Sequence, residues 1–382
     1  MSKHAMGNGW NQNFDREIFL ARHWQRKPLL IRSAVKDFSP PLDRHELAGL
    51  ALEEGVESRI VEYRDALWQL HHGPFSEQDY QRDFPWTLLV QAVDHYIPEV
   101  ATLRRLFDFL PQWRVDDVMV SYAVDGGSVG PHYDNYDVFL LQGEGERLWR
   151  LGQFCDSSST LLPHDELRIL DTFESEQEHL LGPGDMLYVP SGIAHWGIAR
   201  GECTTFSIGF RAPRINDMVS RWVDQLLEQM DSDQFYRDAG QASVTRPGEI
   251  RPRDMERALA QLQAALDQDP CNHWFGELVT EPRYEPAPDD DELAEAKALL
   301  RDGATFVKLS PAAKLAWQQE LEGIAVFANG GSIEFPQGVL PVLITLCDSW
   351  RLEGDTLSGA MVDLDSAALL HYLLESGCIY VE

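Results

Sequence analysis

Several absences narrow the field before anything present is considered. No two cysteines stand in a C-x-x-C pair: Cys155, Cys203, Cys271, Cys347 and Cys378 are far apart, which argues against a thiolate metal knuckle or a dense disulfide framework and predicts reduced packing thiols. No apolar run approaches the roughly 20 residues of a membrane-spanning helix. The N-terminus, with Asn8, Asn11 and Asn13 among polar neighbours, lacks the apolar stretch of a secretory signal. The cytoplasm is the expected compartment, with no membrane partner. No G-x-x-x-x-G-K-[ST] or G-x-G-x-x-G stretch occurs, which removes nucleotide-cofactor readings. Positive charge is also scarce: 32 Lys plus Arg face 62 Asp plus Glu, a net charge of −30. Such a field repels nucleic acid and anionic membrane and favours a basic protein partner or a cationic substrate.

What is present suits two or three domains in 382 residues. From Arg16 the apolar pattern reads as a helix followed, after Pro28, by a short strand. Asp43 can cap the next helix, with Glu46 as its capping-box partner. Ile60–Tyr63 and Ala66–Leu70 look like a hairpin, and Trp86 to Tyr96 like a helix. Trp24, Trp68 and Trp86 are expected in the core. Val115–Ala123, Tyr136–Gln142, Arg147–Leu151, Met186–Pro190 and Thr204–Phe210 are short strands rich in Val, Ile, Leu and aromatics, separated by turns such as Asp125-Gly126-Gly127. Strands so closely spaced, without helices between them, imply an antiparallel sandwich or barrel.

After Pro213 the period changes to three and four: Ile215, Met218, Val219, Trp222, Val223, Leu226, Leu227 and Met230 mark one amphipathic helix, and Met255, Leu259, Leu262 and Leu266 a second. These helices either pack on their own barrel or meet a second copy of the chain. The proline-rich acidic stretch from Glu281 to Glu292 is the best linker candidate. Beyond it, Leu293–Leu300, Pro311–Glu320, Leu340–Cys347 and Ser366–Glu375 read as helices, and Gly331–Phe335 and Cys378–Val381 as strands, an order that resembles a winged helix. From 291 to 382, five basic residues face fourteen acidic ones, so direct DNA binding is not expected.

The chemistry concentrates in two stretches. If Gly130 to Leu141 runs as one strand, His132 and Asp134 point to the same face, two rises of about 3.3 Å apart. A His-x-Asp triplet alone is weak. Gly184-x5-Pro190-x-Gly192-x2-His195 is far more specific, because it matches the second sequence motif of the cupin superfamily at every fixed position. Two imidazoles and one carboxylate, with open positions for further ligands, suit non-haem Fe(II), and the lack of a third histidine or a thiolate argues against structural zinc.

The run Val118-Met119-Val120-Ser121-Tyr122-Ala123, then Gly126 to Phe139, Gly184 to His195 and Ser207-Ile208-Gly209-Phe210-Arg211-Ala212-Pro213, resembles the JmjC-type ribosomal oxygenases, as does Phe19 to Ile31. Within them it is most similar to the bacterial branch that hydroxylates an arginine of a large-subunit ribosomal protein. The resemblance implies an α+β protein: a double-stranded β-helix barrel of the cupin and JmjC kind over 1–212, a helical dimerisation region over 213–285, and an acidic winged-helix-like domain over 286–382. It implies Fe(II) held by His132, Asp134 and His195, with 2-oxoglutarate and O2 as co-substrates. Arg147, at the family's matching position, is the candidate for the distal carboxylate of oxoglutarate, with Arg150 and Arg211 as competitors. Ser121 and Ser207 are candidates for further hydrogen bonds to it, and Asp125 and Tyr136, near the expected barrel mouth, for contact with the substrate arginine. The expected partners are a basic ribosomal protein and a second copy of the chain. Two alternatives stay open: the same oxygenase chemistry on another protein residue, by histidyl hydroxylation or demethylation, and a non-catalytic, metal-stabilised cupin that serves as a binding module.

Overall fold

The computed structural model describes residues 9–267, 273–284 and 290–382. The chain divides into two compact units, Met1–Ala212 and Pro213–Glu382. The middle of the linker candidate, and the expected boundary at 285/286, lie outside the described residues.

The first unit runs α1 (Arg16–Arg22), β1 (Leu29–Ile31), α2 (Arg44–Leu50), β2 (Ser58–Arg64), β3 (Leu67–His72), β4 (Trp86–Val90), α3 (Pro98–Ala101), β5 (Val115–Ala123), β6 (Asp137–Gln142), β7 (Glu146–Phe154), β8 (Gln177–Leu181), β9 (Met186–Val189), β10 (Ile193–Arg200) and β11 (Cys203–Phe210). Eight strands form one antiparallel sheet in the order β1-β9-β6-β11-β5-β4-β2-β3, and β10-β7-β8 form a second. Val138, Leu140, Leu187 and Val189 from the large sheet pack on Trp149, Leu151 and Leu181 from the small one, so the two sheets close on each other as a double-stranded β-helix.

The other face of the large sheet is buried as well. Phe139, Tyr188, Phe206, Ile208 and Phe210 point away from the barrel interior and pack with Phe19, Leu47, Leu103 and Phe107 of the preceding segments. Strands covered on both sides lose the alternation of apolar and polar residues. That explains one correction: Trp86 to Tyr96 is not a helix but β4 followed by a single 3-10 turn at Val93–His95, and Trp-Thr-Leu-Leu-Val is buried throughout. The segment after α1 is tied down by a buried polar node: the Tyr188 hydroxyl donates to Asp137 Oδ1 at 2.6 Å and accepts from the Gln25 backbone N–H at 2.7 Å, while Arg114 pairs with the same carboxylate at 3.3 Å. Burial beside Asp137 pushes the Tyr188 hydroxyl far above its usual range, so it stays a donor. Asp43 and Glu46 form the expected capping box on α2.

The second unit contains α4 (Ile215–Gln229), α5 (Pro252–Leu266), α6 (Trp274–Thr280), α7 (Asp290–Gly303), β12 (Phe306–Leu309), β13 (Leu315–Gln319), β14 (Ile324–Ala328), β15 (Gly331–Phe335), α8 (Leu340–Ser349), β16 (Arg351–Glu353), α9 (Gly354–Val362), α10 (Leu364–Glu375) and β17 (Ile379–Val381). Its strands form two antiparallel sheets, β16-β12-β17 and β13-β14-β15, around a core that includes Leu343, Leu346, Leu369 and Leu373. The stretch Pro311–Glu320, expected as a helix, holds β13 instead: pairing of Leu315 to Gln319 with the fully buried β14 overrides the helix preference of its alanines, lysine and leucine. Among the described residues no helix is long and apolar enough to cross a membrane. The four described cysteines are free thiols.

Candidate metal centre

His132 and Asp134 lie on the loop between β5 and β6, and His195 is the third residue of β10. The expected continuous strand from Gly130 is a correction: β6 begins only at Asp137, and Pro131 has no N–H to offer a ladder. Instead His132 makes an isolated bridge to His195, each backbone N–H donating to the other's carbonyl, at 3.0 and 2.8 Å. Asp134 is fixed through its carbonyl, which accepts from the Gly192 N–H at 2.8 Å. Gly192 adopts a φ of +81°, and a Cβ there would meet Phe154 at 2.5 Å and the Cys155 carbonyl at 3.0 Å. Only glycine turns the chain so tightly between Pro190 and His195, which is the physical content of the spacing motif.

The three side chains converge. One ligand atom from each of His132, Asp134 and His195 lies within 4.8 Å of the others. His195 Nε2 stands 3.6 Å from Asp134 Oδ2. Two ligands at about 2.1 Å from a common ion are separated by roughly 3.0–3.6 Å, so the site matches an ion-sized gap. The protonation pattern agrees with this. Nδ1 of His132 lies 3.0 Å from the Gly130 carbonyl, and Nδ1 of His195 lies 3.0 Å from that of Ile193. A carbonyl can only accept, so each Nδ1 carries the hydrogen and each Nε2 keeps its lone pair for a metal. His195 is 2 % exposed, and burial, reinforced by His132, holds its imidazole down to about 4 against the opposing pull of Asp134. It is therefore neutral at neutral pH, the form that binds a cation.

Arg147, on β7, points into the barrel on the same face as Trp149, whose ring centre is 5.9 Å from that of His195. The arginine is 5 % exposed. Its Nη1 donates to Ser121 Oγ at 3.3 Å, from the opposite sheet, but Nε and Nη2 find no partner among the described residues. A buried guanidinium with two idle donors is costly unless an anion completes it, and a carboxylate matches its fork. Both competitors are engaged: Arg150 pairs with Glu178 at 2.8 Å, and Arg211 with Asp116 at 2.9 Å. Ser207, opposite Met119 on β11, shares the interior face with Ser121. The residues present thus fit both a divalent ion and a dicarboxylate co-substrate.

The two expected substrate contacts separate. Tyr136 is 45 % exposed and stands beside acidic groups, and Asp134 first, then burial and Asp117, push its hydroxyl well above the usual range. Asp125 is not brought to the site. Its carboxylate accepts from the Gly201 N–H at 2.7 Å, beyond the far end of β10 from His195, where it closes a turn. Six residues of extended chain, about 20 Å, lie between. Asp117, an acid that the sequence reading did not single out, is buried, accepts from Gln91 Nε2 at 2.7 Å, and lies near the Tyr136 ring across Gly209. Strand alternation was the available signal, since Asp117, Met119 and Ser121 share one face of β5.

Comparison with known proteins agrees with this geometry. Residues 102–218 match a JmjC domain, and residues 258–380 match a ROXA-like winged helix. The chain is 36 % identical over 372 residues to the ribosomal protein uL16 3-hydroxylase of Escherichia coli (strain K12), covering 95 % of this chain and 97 % of that one. It is 33 % identical over 386 residues to a probable ribosomal oxygenase of Haemophilus influenzae, covering 96 % and 94 %. The structure of YcfD, a ribosomal oxygenase from Escherichia coli in complex with cobalt and 2-oxoglutarate, superposes with a TM-score of 0.79 at 33 % identity, covering 98 % of this chain and 99 % of that one.

Proposed function

Since this chain belongs to the JmjC-type ribosomal oxygenases that carry a ROXA-like winged helix, we propose that it hydroxylates an arginyl side chain of a large-subunit ribosomal protein, using Fe(II), 2-oxoglutarate and O2. The enzyme is a 2-oxoglutarate-dependent dioxygenase that acts as a ribosomal protein hydroxylase. The single observation that carries the residue assignments is the pairing of a convergent His-Asp-His triad with a buried arginine left two donors short among the described residues of the same barrel.

Each residue then has a task. His132, Asp134 and His195 would hold the iron, and the Nδ1 contacts to Gly130 and Ile193 keep both imidazoles in the metal-binding tautomer. With oxoglutarate bound beside it, iron held there would supply the chemistry for O2 to oxidise both partners, one oxygen atom entering succinate as CO2 leaves and the other entering an unactivated C–H bond of the substrate. Arg147 grips the distal carboxylate of oxoglutarate, helped by Ser121, while Ser207 offers a hydroxyl on the neighbouring strand. Tyr136 stays protonated and presents a ring face and a hydroxyl beside Asp117, a setting that favours a guanidinium by stacking and charge. Asp125 has no part in this reading. A ribosomal substrate places the reaction in the cytoplasm.

The test is direct. Purified protein is incubated with Fe(II), oxoglutarate and candidate ribosomal proteins, and peptides are mapped by mass spectrometry. One added oxygen on an arginine is expected, dependent on oxoglutarate and lost in His132→Ala. A modified histidine or a lost methyl group sinks the arginyl assignment, and absence of oxoglutarate turnover sinks the catalytic reading of the triad.

A further inference from the structure

A second constellation of metal-ligand type lies wholly within the C-terminal unit, in segments to which the oxygenase chemistry gives no role. His273 immediately precedes α6, Glu320 follows the end of β13, and Glu334 sits on β15. Helix α6 reaches these strands because Gly276 lies flat on the Phe327 ring: a Cβ there would meet ring carbons at 2.4 Å. Any larger residue would lift the helix and carry His273 away with it. The imidazole packs edge-to-face on the same Phe327, with ring centres 5.6 Å apart, which fixes its plane. Its side chain is 11 % exposed, and its Nε2 lies 3.0 Å from Glu320 Oε1 and 3.7 Å from Glu334 Oε1.

An imidazole between two carboxylates can be a plain ion pair, but the geometry is poorly suited to one. A single Nε2–H serves one acceptor well, and Glu320 already takes it. The second carboxylate is then brought close without a hydrogen bond from that ring, in a chain whose net charge is −30. One ligand atom from each residue lies within 4.8 Å of the others. Separations of 3.0 and 3.7 Å lie at and within about 0.1 Å of the roughly 3.0–3.6 Å between neighbouring ligands around an ion with bonds of about 2.1 Å. One borderline nitrogen and two hard oxygens suit Zn(II), with water in the remaining position. Glu334 is 66 % exposed on its side chain, so the ion has a path in from solvent.

We infer that His273, Glu320 and Glu334 bind a divalent cation, Zn(II) by ligand type, which clamps α6 to the β13-β14-β15 sheet. The first site must be silenced to test this. The full chain carrying His132→Ala and Asp134→Ala, stripped with a chelator, is titrated with zinc chloride by calorimetry, and its melting temperature is followed in parallel. One zinc per chain and a raised melting temperature are expected. His273→Gln in that background should abolish both, and Glu334→Gln should weaken binding by at least about tenfold. Absence of zinc binding in the silenced chain overturns the inference. So does undiminished binding after Glu334→Gln, a change on an exposed side chain that decides the matter even if His273→Gln does not fold. In the wild-type chain, elemental analysis should find two metal ions per polypeptide, and a single one is the result expected of an ion pair alone.

Discussion

Arg147 is the side chain whose surroundings make the clearest demand. It is buried, held by one hydroxyl, and left with two unused donors aimed at nothing else among the described residues. Removing one member of a buried charged pair costs about 2–5 kcal/mol, so Arg147→Ala should raise the KM for oxoglutarate roughly 30-fold to 4000-fold, with Fe(II) stoichiometry unchanged. Arg147→Lys should recover only part, because a point charge replaces a fork. An unchanged KM would transfer the role to another cation. His195 carries a pH prediction. In the folded, metal-free protein it takes a proton only near 4, against 6.5 as the ordinary value. Between those values the unfolded chain binds more protons, so stability is complete above about 6.5 and falls as the pH drops toward 4, by roughly 3 kcal/mol in all. Urea unfolding of the metal-free protein at pH 7 and pH 4.5 should show a larger loss for the wild type than for His195→Gln. Equal losses would mean that the imidazole is not buried neutral.

At the level of elements, helices α4 and α5 present a divided surface. Leu226 is buried, and Gln225 donates to Glu277 of α6 at 3.0 Å, so that side of α4 serves its own unit. Ile215, Val219 and Leu227 on α4, and Met255, Leu259 and Leu262 on α5, stay exposed. These residues are the face on which the homodimer expected from the sequence would be built. Leu259→Glu with Leu262→Glu should convert a dimer to a monomer in light scattering while leaving the circular dichroism unchanged, and an unaltered mass would reject that face. Elements also mark where sequence reading stopped. Gly184 to His195 was legible because each fixed residue does one local job, and local jobs leave spacing. His132 and Asp134 were identified for the wrong geometric reason: a bridged loop, not an alternating strand, aims them. Trp86–Val90 was misread because burial on both faces erases the period that tells strand from helix. The cluster of His273, Glu320 and Glu334 left no signal, because its members come from three segments that only tertiary packing brings together.

Across the whole molecule, 62 acidic residues against 32 basic ones make the chain a poor partner for polyanions, yet the proposed substrate is a component of an RNA-rich particle. The two facts are compatible if the enzyme takes its substrate as a free protein. A net charge of −30 repels assembled RNA and attracts a basic ribosomal protein before it is covered by RNA. Attraction of this kind acts on encounter, through a field that is screened beyond about 8 Å at physiological salt. Its signature is therefore kinetic. Raising the salt from low to several-fold physiological concentration should lower kcat/KM for an intact ribosomal protein by about tenfold or more, with little change in kcat. A short peptide carrying the target arginine but few other basic residues should show a much weaker dependence. If the intact protein and the peptide respond to salt alike, recognition is confined to the barrel mouth around Tyr136 and Asp117, and the acidic surface serves solubility alone.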